Sequence, residues 1–220
     1  MNTRAPCLLV VGATGTLGRP VARLLRTKGL AVRALCRHPE RAADLAALGA
    51  EVVAGDLTDA ASLQRACRGV TRVLAAAHGM PGRGRWRCEA VDDAGHRALI
   101  AAARVAGADR FVYTLVMGAA AHPDDFFRTK HRIEQLLCAS GLVLRPSACM
   151  AQHVHLFNGQ PLLRKGRARL IGAGTKPRNF VAATDVARLA VRALVEDPAP
   201  FTTLEIGGPG SYSNNEVTAL

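Results

Sequence analysis

Residues 6–18, PCLLVVGATGTLG, pass from an unbroken apolar run directly into a glycine-rich turn, and LGRPVARLLRTK (17–28) follows at helical spacing. An apolar run without alternation is what a strand buried on both faces requires, and such strands belong to parallel sheets covered by helices. Leu17, Val21, Leu24 and Leu25 share one face of the following helix, and Gly29 stops it. Between strand and helix, each glycine has a physical task. Gly12 permits the tight turn, Gly15 lets a pyrophosphate approach the backbone, and Gly18 lets helix pack closely on strand. The helix start adds unsatisfied N–H groups and a partial positive charge. The segment Gly12-Ala13-Thr14-Gly15-Thr16-Leu17-Gly18 is therefore expected to cradle the pyrophosphate of a dinucleotide.

The rest of the chain repeats the strand–helix alternation. Strands are expected at 31–37, 51–55, 70–77 and 110–118. Helical stretches are expected from Pro39 to Gly49, Asp59 to Cys67 and Glu89 to Ala106. Five alternations predict an α/β doubly wound parallel sheet with helices on both faces. After that come a helix over 126–140, a short strand at 142–146, and a mixed tract containing Pro161, Gly166, Gly172 and Gly174. A helix from Asp185 to Glu196, with Asp185 as its N-cap, and a strand at 203–207 complete the pattern. Ser213 and Glu216 have capping-box spacing, so a helix should begin there and be cut off at Leu220. The expected organisation is one domain over 1–220, with 147–182 and 208–220 contributing a small substrate lobe.

Composition narrows the class. With 49% hydrophobic and 21% charged residues the chain can build a full core, and no apolar run reaches the eighteen or so residues that span a bilayer. The N-terminus reads as a first strand rather than a signal peptide, so a cytoplasmic location is expected. Lys+Arg 29 against Asp+Glu 17 gives +12, but the arginines are scattered and aromatics are only 4%, which argues against nucleic acid. Cys7, Cys36, Cys67, Cys88, Cys138 and Cys149 are dispersed, with no CxxC. Reduced thiols and no metal are expected. Monomer and homodimer both remain open.

The choice of dinucleotide turns on the end of the second strand. An NAD site places an acid there for the ribose hydroxyls, whereas this chain has Cys36-Arg37-His38. Arg37 is placed to hold a 2′-phosphate, with Arg19 nearby; the alternative is that both are solvated arginines. NADP(H) is thus favoured over NAD(H). Asp56 and Leu57, ending the third strand, are expected beside the adenine. Ala76, Ala77 and His78 after the fourth strand, and Pro146 in Arg145-Pro146-Ser147, are expected at the nicotinamide end.

Taken in order, VVGATGTLGRPV, CRHPERAADLAALGAEVVAGDLTDAASL, VDDAGHRALIAAARVAGADRFVY, FFRTKHRIEQLLCASG, LRPSACM, NFVAATDVARLAVRAL and LEIGGPG resemble the atypical short-chain dehydrogenase/reductase superfamily, in particular its NmrA-like NAD(P)-binding branch. The resemblance covers nearly the whole chain. It implies a Rossmann-type domain with a small C-terminal lobe closing over the nicotinamide. It also implies an NADP(H)-dependent reductase, a quinone reductase or a non-catalytic redox sensor.

One departure bears on the chemistry. Fully active members of that superfamily carry Tyr-x-x-x-Lys on the helix after the fifth strand and a Ser at that strand's end. Here the pair reads Phe126-x-x-x-Lys130, and Leu115-Val116 stands where the Ser is expected. Phenylalanine has no proton to give, so the usual tyrosine route to an alcohol is closed. Lys130 then has two possible roles: donor to the nicotinamide ribose, or general acid/base if burial lowers its pKa. Thr114 or Tyr113 could supply a hydroxyl, and strand alternation admits only one of them to the site. A small quinone or conjugated carbonyl can accept hydride without that tyrosine. In the loop 78–89, Arg83, Arg85, Trp86 and Arg87 either form a lid for an anionic or aromatic substrate or are simply solvated. A redox sensor acting through a partner is the other reading.

Overall fold

The computed structural model describes residues 6–79, 84, 87–121, 124–137, 141–167, 172–197 and 203–219. Seven strands form one parallel sheet in the order β3-β2-β1-β4-β5-β6-β9. They are β1 Cys7–Val11, β2 Ala31–Cys36, β3 Glu51–Ala54, β4 Arg72–Ala75, β5 Arg110–Thr114, β6 Gly141–Pro146 and β9 Thr203–Ile206. The order reverses beside β1, which puts the crevice for a ligand at the carboxyl ends of β1 and β4.

Burial explains why β1 lies in the middle. Leu8 and Val10 enter one apolar layer, with Val21 and Leu25 of α1 (Gly18–Thr27) and Val186 and Val191 of α8 (Ala183–Val195). Leu9 and Val11 enter the other, with Leu63 of α3 (Ala60–Cys67), Leu99 of α4 (His96–Val105) and Ile133 of α5 (Asp125–Leu137). Each such side chain contributes about 1.5–3 kcal/mol when removed from water, so a one-residue slip of β1 would be prohibitive. The remaining elements are α2 (Ala43–Ala47), the short α6 (Met150–Val154) and α7 (Gln160–Lys165), and α9 (Asn214–Ala219). A second, three-stranded sheet has the order β10-β8-β7: β7 is Ala148–Cys149, β8 Arg178–Val181 and β10 Gly210–Tyr212. The Asn179 side chain clips it to the chain after β9. It donates to the carbonyls of Gly208 (2.9 Å) and Gly210 (3.1 Å) and accepts from the Gly208 amide (2.8 Å).

Several local expectations need correction. The fifth strand ends at Thr114 rather than 118: the Leu115 and Met117 amides still donate to the Leu144 and Pro146 carbonyls of β6, and the chain then turns away at Gly118, φ +77°. The stretch from Glu89 opens as seven π-helical residues, Glu89–Gly95, before α4 begins. The mixed tract 150–165 is largely helical, with Pro161 in the first turn of α7 and left-handed Gly166 closing it. Asp185 is not an N-cap. Ala182 occupies that position, and Asp185 sits in the first turn, 2.6 Å from Arg188 Nη1. The capping box at the last helix does form: Ser213 Oγ accepts from the Glu216 amide (3.2 Å), and Glu216 Oε2 accepts from the Ser213 amide (2.7 Å). None of the described cysteines forms a disulfide; Cys138 lies outside the described residues. No helix among the described residues is long and apolar enough to cross a membrane, and no metal-binding group of His, Cys, Asp and Glu occurs among them.

Candidate functional site

The glycine loop has the geometry its spacing implies. Gly12 turns the chain at φ +80°, and a Cβ there would lie 3.0 Å from Ala77, so the β1 turn and the end of β4 touch. At Gly18 a Cβ would meet the Gly12 carbonyl oxygen at 2.2 Å; the helix can lie this close to the strand only without a side chain. Gly15 differs from both. It is exposed, its amide is bonded back to the Gly12 carbonyl at 2.9 Å, and a Cβ on it would meet only that oxygen, at 3.2 Å. Beside it, Thr16 is exposed and Thr14 and Leu17 half-buried. No side chain caps α1 at Leu17, and its first turn holds no acid. A bare positive helix end flanked by a glycine surface is a site that an anion can occupy and that nothing negative in the first turn opposes.

The other expected cofactor residues line the same edge of the sheet. Arg37 is exposed just beyond β2. The Arg19 guanidinium pairs with Asp44 and donates to the Arg41 carbonyl at 2.7 Å. Asp56 Oδ1 accepts from the Thr58 amide (2.9 Å) and hydroxyl (3.0 Å), which fixes the turn after β3. Leu57 is buried against Gly95, where a Cβ would lie 2.8 Å from it. Ala76 and Ala77 are half-buried and His78 is exposed, its ring meeting Phe126 edge-on at 6.5 Å. Pro146 is buried at the end of β6. Arg83, Arg85 and Trp86, expected either to form a lid or to be solvated, lie outside the described residues, and Arg87 pairs with Glu89 at 3.0 Å.

Beneath that edge, four elements bring a polar cluster together. Lys130 of α5 is almost wholly buried, and its Nζ lies 3.1 Å from Asp92 Oδ1. The other Asp92 oxygen accepts from the Gly79 amide at 2.7 Å, which ties the loop after β4 to the π-helical turn. Tyr113 Oη and the Thr114 carbonyl lie 3.4 and 3.5 Å from Nζ, at the outer limit of hydrogen bonding. The rings of Tyr113 and Phe126 flank the ammonium at 5.0 and 5.6 Å. Phe126, at the position where the resemblance leads to the expectation of a tyrosine, is thus one wall of a cation cage. Of the two hydroxyl candidates, Tyr113 faces Lys130, whereas Thr114 Oγ1 donates to the Ala75 carbonyl at 3.0 Å. His96 is fully enclosed. Its Nδ1 lies 2.9 Å from the Val91 carbonyl, which can only accept, so Nδ1 carries the proton and Nε2 presents a bare lone pair.

Burial decides most charges in this cluster. It pushes His96 down, assisted by the Lys130 charge, to about 4. It pushes the Cys88 thiol up, assisted by Asp92, to about 12, and it raises the Tyr113 phenol. For Lys130 burial works downward, but Tyr113 and Asp92 outweigh it and the net direction is up. Burial likewise opposes the Asp92 charge, but Lys130 and the Gly79 amide hold its carboxyl below the ordinary range. At neutral pH the cluster is therefore one ion pair among neutral groups. A lysine held in this way keeps its proton at neutral pH.

Asp92 and His96 are the site residues the motif reading missed. A signal was present: Asp92, His96, Leu99 and Ala103 fall at i, i+4, i+7 and i+11, so two polar residues stand on the apolar stripe of that helix, and all four are buried.

Comparison with known proteins agrees with this geometry. The sequence profile of the NAD(P)H-binding family matches residues 12–198. The chain is 32% identical over 216 residues to the photosystem II assembly factor Ycf39 of Guillardia theta, covering 97% of this chain and 68% of that one. It is also 32% identical over 217 residues to an NAD(P)H azoreductase of Xenophilus azovorans, covering 96% and 71%. Among solved structures, the Citrobacter sp. triphenylmethane reductase complexed with NADP(H) superposes with a TM-score of 0.76 at 23% identity, covering 96% of this chain and 73% of that one. An Escherichia coli NADPH-dependent quinone oxidoreductase complexed with NADPH gives 0.75 at 25% identity, with the same coverage. Glycine loop, parallel sheet and relatives agree, and the chain belongs to the NAD(P)H-binding family.

Proposed function

We propose that this protein is an NADP(H)-dependent reductase of the NmrA-like branch that passes hydride to a small quinone or conjugated carbonyl without a catalytic tyrosine. The observation that carries the reading is the start of α1, where exposed Gly15 adjoins a helix end with no side-chain cap and no acid. Those features fit a pyrophosphate. Gly12, Thr14, Gly15, Thr16, Leu17 and Gly18 would hold it, Arg37 the 2′-phosphate, Asp56 and Leu57 the adenine end, and Ala76, Ala77, His78 and Pro146 the nicotinamide end. The reduced nicotinamide supplies the hydride when bound. The chain's own contribution is orientation and exclusion of water, with Lys130 as a fixed cation near the ribose. The Thr114 hydroxyl, already committed to the Ala75 carbonyl, has a structural part in this scheme. The relatives named as azoreductase and quinone oxidoreductase support a search among electron-poor aromatic acceptors.

The test is a fluorescence titration with NADPH and NADH, followed by NADPH oxidation with a panel of quinones. Gly15→Ala should remain folded and lose nucleotide affinity by about tenfold or more, the scale of one displaced phosphate hydrogen bond. Arg37→Ala should weaken NADPH while leaving NADH unchanged. Failure of the wild type to bind either nucleotide would remove the proposal.

A second reading is favoured by the near-complete burial of Lys130. In it the protein binds NADP(H) without turnover and reports redox state through a partner. The similarity to an assembly factor supports that alternative. Tight NADPH binding with no oxidation by any acceptor is its expected signature.

A further inference from the structure

Asp92 has no solvent exposure, and a carboxylate taken so far out of water is kept only where something compensates it. Here the compensation is specific: one oxygen on the Gly79 amide at 2.7 Å, the other on Lys130 Nζ at 3.1 Å. The carboxylate therefore joins the loop after β4 to the lysine of α5. It does so from the π-helical turn Glu89–Gly95, a geometry rare in helices and found mostly as single turns near functional sites.

The titratable groups facing Lys130 come from every element packed on it. Among the described residues they are Asp92 and His96 of the helix after the loop, Cys88 at that helix's start and Tyr113 of β5, with His78 acting on His96 and the Asp124 carboxylate acting on Cys88 from one group further out. His96 is neutral above about 4 and Cys88 below about 12, and the buried Tyr113 phenol titrates above its ordinary value. At neutral pH this leaves Asp92 as the counter-charge. Tyr113 and Phe126 contribute only their ring faces and one long hydrogen bond.

We propose that Asp92 is the positioning residue for Lys130, its carboxylate holding the ammonium charged and fixed below the carboxyl ends of β4 and β5, so that Lys130 meets a bound nucleotide as a permanent hydrogen-bond donor and takes no part in proton exchange. This deepens the reductase reading and rests on Lys130 lying near the nicotinamide ribose.

The chain has only four lysines, Lys28, Lys130, Lys165 and Lys176, so protein carrying 13C-lysine gives four resolvable side-chain signals. The Lys130 signal is the one lost in Lys130→Met. In the wild type it should titrate above the ordinary 10.5. Asp92→Asn, which keeps an acceptor for the Gly79 amide but removes the charge, should bring the midpoint below 10.5, and Asp92→Glu should restore much of the rise. Equal midpoints in wild type and Asp92→Asn would overturn the proposal. So would a wild-type midpoint at or below 10.5, which decides the matter even if the variant fails to fold. NADPH affinity gives the second readout. Asp92→Asn should match the wild type at about pH 6, where both lysines are charged, and fall about tenfold behind it above its own lowered midpoint, the loss of one charge-assisted hydrogen bond. Parallel affinities at every pH would overturn the positioning role. A wild type that binds no nucleotide would instead remove the reductase reading, while the lysine midpoints would still judge the hold of Asp92 on Lys130.

Discussion

The two ends of the candidate site are built in opposite ways. At the phosphate loop the working groups belong to the backbone, and the side chains matter by being absent: Gly12 to turn, Gly15 to leave an open surface, Gly18 to admit the helix. At the Lys130 cluster the working groups are side chains from four elements, closed off from water and dependent on one another for their charge. A backbone site is insensitive to pH and tolerates change nearby, provided no Cβ intrudes. A buried ion pair depends on both partners, because either charge alone is costly in a low-dielectric interior. The same fold thus carries a robust backbone surface at one end of the candidate site and a fragile buried ion pair at the other.

The sharpest way to break this comparison is to remove one charge. Asp92→Ala leaves the Lys130 ammonium buried without its carboxylate and should cost about 3–5 kcal/mol, read as a lowered urea midpoint. The double variant Asp92→Leu/Lys130→Met, which removes both charges and keeps apolar volume, should recover most of that loss. A single variant as stable as the wild type would mean that the pair carries no more weight than a surface contact.

Next in size is the effect of acid on His96. Its folded pKa of about 4 lies below the 6.5 of an exposed imidazole, so below pH 6.5 the unfolded chain takes up a proton that the native state refuses. Stability should therefore fall between pH 6.5 and 4 by about 3 kcal/mol from this residue, and level off below. Lys130 and Asp92 act outside that window. Lys130, with a raised pKa, contributes below 10.5 and its contribution is lost on going higher; Asp92, with a lowered one, contributes above 3.8 and loses it in stronger acid. His96→Leu should flatten the stability–pH curve over this range relative to the wild type. The phosphate loop contributes nothing to the slope.

These contrasts also explain which half was legible from the chain alone. The loop could be read because its chemistry is local: three glycines at fixed spacing, between a buried strand and an amphipathic helix, have few other uses. The sheet followed from five alternations of short apolar runs with helical stretches of period 3.6. The polar cluster could be read only in part: Asp92 and His96 share one helical stripe, but Tyr113 and Lys130 come from other elements and reach that stripe only through the pairing of β4 with β5 and the packing of α5. Strand alternation reduced Tyr113 and Thr114 to one choice but could not make it. The choice depends on which sheet face α5 covers, and that face is Tyr113's, beside Ile133 and Leu137. Asp185 was misassigned for a similar reason. An acid near a helix start suits both the cap and the first turn, and only the backbone at Ala182, extended at ψ 132°, tells them apart.

Smaller effects sharpen the comparison from the loop side. Gly18→Ala places a Cβ 2.2 Å from the Gly12 oxygen, a clash between two backbone segments that neither can relieve by rotating a side chain. Overpacking of this kind costs about 1–3 kcal/mol, which outweighs the roughly 1 kcal/mol that alanine gains over glycine in a helix. Gly15→Ala meets only one oxygen, at 3.2 Å, and should leave the unfolding midpoint nearly unchanged while nucleotide affinity falls. Loss of stability without loss of binding at Gly15, or the reverse at Gly18, would show that the two glycines had been assigned each other's tasks.

The smallest expected effect belongs to Thr114, which lies on the boundary between the two regions. Its hydroxyl donates to the Ala75 carbonyl at 3.0 Å, across the same β4–β5 pair whose ends carry the site. Thr114→Val keeps the shape and the β-branch, so the strand geometry is preserved and only that bond is lost. A net hydrogen bond of this type is worth about 1 kcal/mol, and the half-buried position lets water recover part of it. Thermal unfolding should therefore show a small decrease, and quinone reduction per folded molecule should stay at the wild-type level. A variant with unchanged stability and reduced turnover would place the hydroxyl on the reacting molecule instead of the neighbouring strand.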